Sequence, residues 1–423
     1  MSKTGGFMNN TKNIELLEEY FQSGCKNADG NFYFGLEVEH FIVDKESLRS
    51  IDYFEENGIE KILLELSVYY EDKIMSNGHI IGLKGADDVI TLEPAAQIEI
   101  SIKPQDSIDK AREIYNIFIS RVNNIIKNYG YKIVNLGYHP KSKVDELQLI
   151  PKDRYKFMDF YFNSSGTCGK NMMKGSASTQ ISIDYFDELD FIKKFKTACI
   201  LGPAIALLTD NSPIFEGEIY NKNLLRQYIW QNVDDARSRV VSIIDCDDFG
   251  FEKYAQYLYN VPLIVDIQNQ KSVYTEDCAK NLYMDKDLTE NDIENIISMV
   301  FPDVRLKKYI EIRVADSMPE EYIFSYTALI KGLFIKPEKI FSYVDNIGDI
   351  RFNDIEEAKE ILSEKGYDGI IYGKDVSRII NDIILISEDN LDENEKNYLN
   401  PFKKLAEKRI TLSKLYMDDK GIL

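Results

Sequence analysis

Three histidines, 11 prolines and five scattered cysteines in 423 residues leave several common chemistries with little to work on. Structural zinc needs closely spaced thiolate or imidazole ligands, whereas Cys25, Cys168, Cys199, Cys246 and Cys278 form no CxxC pair. Thiols so dispersed fit a reducing compartment, and the expectation is a cytoplasmic protein. No Ser/His/Asp or Cys/His arrangement can be built from spacing: His40 lies on an apolar strand face, and His79 and His139 sit near turns. No basic segment followed by an apolar run opens the chain, so its mature form is expected to begin at Met1. The most apolar stretch, "ACILGPAIALL" at 198–208, is too short to cross a bilayer. Glycine-rich phosphate loops of the GxxxxGK[ST] or GxGxxG type are missing too, as are the kinase signatures. Positive charge is in deficit: 51 Lys+Arg face 71 Asp+Glu, a net charge of −20. That balance argues against nucleic acid or an anionic membrane as partner, but a polyphosphate remains possible where divalent cations lie between it and the carboxylates.

What is present describes a globular protein. Hydrophobic residues make up 44% and charged residues 29%, with no repeat and no Gly/Ser- or Pro-rich linker, so one intertwined domain over 1–423 is expected. Helical periodicity is clearest at 107–128, ended by Gly130, and further helices are expected at 188–209 and 222–236. Beyond residue 335 the chain is helical and heavily charged, and this part, 336–423, is expected to present solvated helix faces without chemistry.

Between the helices lie short segments of period two. Successive side chains of a strand point to opposite faces. In "FGLEVEH" at 34–40, Leu36 and Val38 therefore oppose Glu37 and Glu39. In "TLEPAAQIEISI" at 91–102, Ile98 and Ile100 oppose Gln97 and Glu99, with Glu93 on the parity of Glu99 and Pro94 marking an irregular start. In "STQISIDY", Ile181 and Ile183 oppose Gln180 and Ser182, and in "KKYIEIRVAD", Ile310, Ile312 and Val314 oppose Glu311 and Arg313. A single such strand is an ordinary half-solvated one. Four that repeat the design, with carboxylates and glutamine as the polar set, predict crowded acids if they share a sheet. Crowded acids hold protons or recruit divalent metals.

All-oxygen ligands suit Mg²⁺, or Mn²⁺, and such sites complete their coordination with substrate phosphates. Nucleotide chemistry follows as the sharper expectation. Arg313 is then either a contact to a transferring phosphoryl group or a partner for the neighbouring acids. Clustered carboxylates would equally serve a two-metal phosphoesterase, or form the acidic face of a non-catalytic nucleotide- or sugar-binding module.

"FGLEVEHFIVD", "ITLEPAAQIEIS", "NMMKGSASTQISIDY", "LLRQYIWQNVDDAR" and "FPDVRLKKYIEIRVAD", in this order, resemble the plant and proteobacterial type of glutamate-cysteine ligase, over about residues 30–335. The resemblance implies an α+β fold of the glutamine synthetase and guanido kinase kind: a mainly antiparallel sheet, curled into a funnel-shaped active site and flanked by helices, with 30–335 as catalytic core. It implies joining of the γ-carboxylate of L-glutamate to the amine of L-cysteine with ATP and Mg²⁺, through a γ-glutamyl phosphate, the first step of glutathione synthesis. By motif, Glu37, Glu39, Glu93, Glu99 and Glu311 correspond to the metal ligands, and Gln180 to a further ligand or a nucleotide contact. Arg313 corresponds to the group that neutralises the γ-phosphate. Arg226 corresponds to the arginine that grips the glutamate α-carboxylate, in a pocket shaped by Trp230 and Arg237. The chain departs from the family pattern at Ala95 and Ala96, where glycines are usual, at Lys174 and Gly175, and after Arg237, where a glycine is missing. These departures leave open a different amine as acceptor. The acyl phosphate has to be kept from water, which makes 82–86 and 164–175 candidate covering loops.

Overall fold

The four period-two segments become four consecutive strands of one sheet. In the computed structural model, which describes residues 3–26 and 30–420, the main sheet has nine strands. These are β1 (Phe34–Asp44), β2 (Asp72–Ser76), β3 (His79–Lys84), β4 (Asp88–Leu92), β5 (Ile98–Gln105), β6 (Tyr131–Val134), β7 (Ser178–Ile183), β8 (Val304–Leu306) and β9 (Ile310–Asp316). Their order is β8-β9-β7-β1-β5-β4-β3-β2, with β6 paired to the far half of β1. Every pairing is antiparallel, and β8 and β2 are the two edges of an open sheet. The register shifts at Phe34/Leu36, Ile74/Met75 and Ile312/Ala315; such bulges bend a strand and re-aim its side chains. The α+β class expected from the sequence is thus the one adopted.

Strand β1 sets the frame. Glu37 lies opposite Gln180 of β7, and Glu39 opposite Glu99 of β5. The even-numbered residues Leu36, Val38 and His40 are buried on the other face. That face is covered by α2 (Ile108–Ile126; α1 is the N-terminal Lys3–Gln22), whose Tyr115 hydroxyl lies 2.9 Å from Nε2 of His40. The Ser107 side chain caps α2 by accepting from the Lys110 amide, and Gly130, at φ +75°, ends the following turn. Burial lowers the His40 pKa to about 4, so the ring is neutral in the folded protein.

Three further helices frame the site: α3 (Asp153–Phe162), α4 (Glu188–Leu208) and α5 (Leu225–Gln231). The last is shorter than the 222–236 expected. It stops at Gln231 because Asn232 turns back, its side chain donating to the Tyr228 carbonyl, and the chain then coils around Asp234. Helix α6 (Glu320–Phe334) closes the core segment, and the C-terminal part supplies α7 (Glu338–Asp345), α8 (Phe352–Lys365) and α9 (Val376–Asn390). These helices do not merely stand in solvent. Gly332 lets α6 and α9 touch, since a Cβ there would lie 2.1 Å from Ser387 Oγ, and a single buried apolar cluster runs from Leu17 to Leu412.

The β4–β5 connection carries one of the departures noted above. Ala96 sits at φ +68°, in a turn closed by the Glu93 amide on the Gln97 carbonyl at 2.9 Å. An L-residue there is strained in a way glycine is not. Ala96→Gly is therefore expected to raise stability by about 0.5–1 kcal/mol, read as a higher urea midpoint with unchanged slope.

Candidate active site

A cavity of about 410 Å³ opens on the polar face of β1, β5, β7 and β9, which carries the odd-numbered residues of β1 and β5 and the even-numbered Ser178 and Gln180 of β7. Four acids line it: Glu37 and Glu39 from β1, Glu99 from β5, and Glu93 from the turn that precedes it. Six cations line it as well: Lys152 and Arg154 at the start of α3, Arg226 on α5, and Arg305, Lys307 and Arg313 from the β8–β9 hairpin. Trp230, stacked obliquely at 5.9 Å on Phe301, Met172 and Met173 give the apolar walls.

The acids differ in how they are held. Glu39 is gripped by the Ser178 amide (2.8 Å), the Ser178 hydroxyl (2.8 Å) and Gln180 Nε2 (3.1 Å). Glu99 accepts from the Thr91 and Ser101 hydroxyls. Burial raises the pKa of both carboxyls, against the pull of Arg226 and the Ser178 bonds on Glu39, and with the push of Glu39 on Glu99. Glu37 and Glu93 keep part of their surface open to the cavity. Burial, then Glu99 and Glu311, push Glu37 up to about 7; burial, then Glu39 and Glu99, push Glu93 up to about 8. The nearby cations thus do not balance these two acids.

Glu311 is of another kind. It is fully buried behind the cavity wall, and its oxygens are taken by Arg305 Nε (2.7 Å), Lys307 Nζ (3.0 Å) and Arg313 Nη1 (3.0 Å). Burial alone would raise its pKa, but the three cations outweigh it and hold the carboxylate well below the usual range. Glu311 thus offers no free oxygen to the cavity. Gln180 is committed as well, donating to Glu39 and accepting from Arg313. The chain Glu39–Gln180–Arg313–Glu311 crosses three adjacent strands.

At the opposite wall Arg226 donates to the Ala315 carbonyl at 2.9 Å and lies 3.5 Å from Asp316. The simple alternation expected along 310–316 fails after Ile312, where the bulge gives β9 one extra residue against β7. It brings Asp316 opposite Ser178, next to Arg226. Asp316 also accepts from the Asn211 amide (2.8 Å) and the Ser212 hydroxyl (2.6 Å). Nε of Arg226 and Nε of Arg154 are buried and without a hydrogen-bond partner among the described residues. Lys152 is partly buried, and burial and Arg154 lower its pKa against the opposing pull of Glu93 and Glu99.

Of the residues singled out from sequence, Glu37, Glu39, Glu93, Glu99, Gln180, Arg226, Trp230 and Arg313 line one cavity, Glu311 lies behind it, and Arg237 stands apart. Arg237 is fully buried and donates to the Pro262 and Met299 carbonyls, to Asp234 and to the Tyr161 hydroxyl, bracing the loop after α5. Residues 82–86 lie at the β3–β4 end of the sheet, where Gly85 and Ala86 line a different depression, whereas the turn Asn171–Gly175 supplies the cavity wall at Met172 and Met173. Four cations escaped the sequence reading. Arg305 and Lys307 share the parity of Glu311 and could have been found. Lys152 and Arg154 sit at a helix start, with no period to flag them.

Among the described residues no three His, Cys, Asp or Glu side chains converge as a closed metal cage. The acids that line the cavity offer oxygen donors, which is the ligand type that hard divalent cations take together with substrate phosphates and water.

The glutamate-cysteine ligase family 2 (GCS2) model matches residues 33–340. Chloroplastic glutamate-cysteine ligase B of Oryza sativa subsp. japonica is 32% identical over 363 residues, 83% of this chain and 71% of the relative. The chloroplastic glutamate-cysteine ligase of Arabidopsis thaliana is 27% identical over 409 residues, 94% and 78% of the two chains. A crystal structure of glutamate-cysteine ligase from Francisella tularensis in complex with AMP superposes with a TM-score of 0.56, at 12% identity, covering 89% of this chain and 82% of that one; it supports the fold alone. With the family model spanning every residue of the cavity described above, the chain belongs to glutamate-cysteine ligase family 2.

Proposed function

We propose that the protein joins the γ-carboxylate of L-glutamate to the amine of L-cysteine, converting ATP to ADP and phosphate. The observation that carries this reading is the division of one cavity into an acidic sheet floor and basic walls, on a chain of this family. A carboxylate does not react with an amine unaided. It attacks the γ-phosphorus of ATP, the bond to the β-phosphate breaks, and ADP leaves. The amine then attacks the acyl phosphate, a C–N bond forms, and phosphate departs with the proton lost to a base or water.

Arg313, with Arg305 and Lys307 beside it, neutralises the transferring phosphoryl group. Arg226 and Arg154, each with an unpartnered buried N–H, hold the α-carboxylate of glutamate. Trp230, Met172 and Met173 limit the access of water to the acyl phosphate. Glu37, Glu39, Glu93 and Glu99 would hold Mg²⁺, or Mn²⁺. The ion, when bound, screens the carboxylates from the triphosphate and stabilises charge on the phosphoryl group.

The direct test is ADP release across a panel of amines with glutamate fixed. Turnover requires glutamate, cysteine and a divalent cation together; equal turnover with another amine overturns the cysteine assignment, and phosphate release without amide formation overturns the ligase reading. Electrostatics gives a second prediction. Because the folded protein holds protons on Glu37 and Glu93 up to about pH 7 and 8, while an unfolded carboxyl releases its proton near pH 4, their contribution is fully present below about pH 4 and is lost progressively as pH rises from there to 7 and 8. Metal-free Glu93→Gln is therefore expected to be more stable than the parent at pH 8.5, on the order of 1–2 kcal/mol after allowance for solvent screening. The difference vanishes near pH 4 and shrinks on adding Mg²⁺ and ATP, as thermal melts would record. Third, Glu311→Gln leaves the buried Arg305 and the partly buried Lys307 and Arg313 short of their counter-charge, so it is expected to cost about 3 kcal/mol of stability along with activity. Activity lost at unchanged melting temperature would contradict the structural role of Glu311.

A further inference from the structure

Lys359 lies on α8, beyond the stretch 33–340 that the family model matches. It belongs to the charged C-terminal part where solvated faces were expected, yet its side chain is only 1% exposed. Its ammonium lies 2.6 Å from Asp303 Oδ2 and 2.6 Å from Glu356 Oε1. Each partner is tied to a different end of the cavity.

Asp303 precedes β8. Its carbonyl accepts from the Arg313 amide at 2.9 Å, at the bulge where β9 slips register, and its own amide donates to the Arg239 carbonyl at 2.9 Å. Glu356 accepts from Gln231 Nε2 at 3.1 Å. Gln231 is the last residue of α5, next to Trp230 and on the helix that carries Arg226. Arg239 Nε donates to the Gln231 carbonyl at 2.9 Å, which closes a ring: Lys359, Asp303, Arg239, Gln231, Glu356 and back to Lys359. Arg239 is held at φ +71° within that ring, a conformation a non-glycine residue keeps only where its surroundings impose it.

A buried ion pair adds little net stability compared with apolar side chains of the same size. What it does add is a set distance between the groups it joins. We infer that Lys359 is a positioning residue: through Asp303 and Glu356 it sets the separation between Arg313 at the phosphoryl end and the Arg226–Trp230 helix at the glutamate end, so that the two substrates meet in line. A carboxylate and a γ-phosphate must approach along one axis, and a small misplacement of either costs rate steeply.

The inference rests on the ligase reading, and its test separates the two. ADP and γ-glutamylcysteine are measured independently for the wild-type chain, Lys359→Met and Glu356→Gln, below the melting temperature of each. Lys359→Met is expected to lower kcat tenfold or more and to release at least twice as much ADP as dipeptide, because a misaligned acyl phosphate is lost to water. Glu356→Gln keeps the Lys359–Asp303 pair and loosens only the glutamate end. It is expected to raise KM for glutamate severalfold and leave KM for ATP unchanged. A purely structural role would lower the melting temperature of both variants while preserving the KM values and the one-to-one ratio of ADP to dipeptide, and that result overturns the inference. If Lys359→Met does not fold, Glu356→Gln decides: an unchanged KM for glutamate overturns the inference, and the selective rise supports it. A wild-type chain that forms no amide overturns the ligase reading and this inference with it.

Discussion

The site depends on the register of β1 between β5 and β7. Glu39 faces Glu99 across one pairing and Glu37 faces Gln180 across the other, so three strands deliver their polar side chains to one surface. A slip of one residue would turn every acid into the apolar core and every isoleucine into the cavity. The opposite face guards against that slip, because Leu36, Val38 and His40 are buried in the core, His40 against Tyr115 of α2. The apolar residues of β1 thereby fix where the acids point, and packing on one face of the sheet specifies chemistry on the other.

Holding acids this close leaves electrostatic work undone, and the protein resolves it in two ways. At Glu311 three cations surround one buried carboxylate and keep it ionised. That cluster orients Arg305, Lys307 and Arg313 around a common anion and presents them as a group. At Glu37 and Glu93 the pull of Lys307, Lys152 and Arg313 is outweighed, and burial together with repulsion from neighbouring acids raises their pKa values toward neutrality and above. These two acids are the part of the cavity that costs folding free energy.

The cavity is also wider than one sheet can define by itself. Its basic walls come from α3, α5 and the β8–β9 hairpin, elements that the chain visits at widely separated points. The bulge in β9 places Asp316 beside Arg226, and the ring through Lys359 ties the wall that carries Arg313 to the helix that carries Arg226 and Trp230. The C-terminal helices thus serve the site from behind.

Local pattern was enough to find the sheet and most of the acids. Strand parity is set by the backbone alone, so Glu37, Glu39, Glu99, Gln180 and Arg313 were legible as members of a polar face, as was a helix over 107–128 stopped by Gly130, which the structure places at Ile108–Ile126. Arg305 and Lys307 carried the same parity signal. What the sequence could not express was anything created by distant elements meeting. That Glu311 is enclosed by three cations, that Arg237 braces a loop away from the cavity, and that Lys152 and Arg154 complete its wall all follow from how strands, helices and turns pack in three dimensions. Charge at Lys359 looked like a solvated helix face for the same reason: burial and partnership are properties of the tertiary structure. Periodicity records which way a side chain points along its own element, and only the fold decides what it points at.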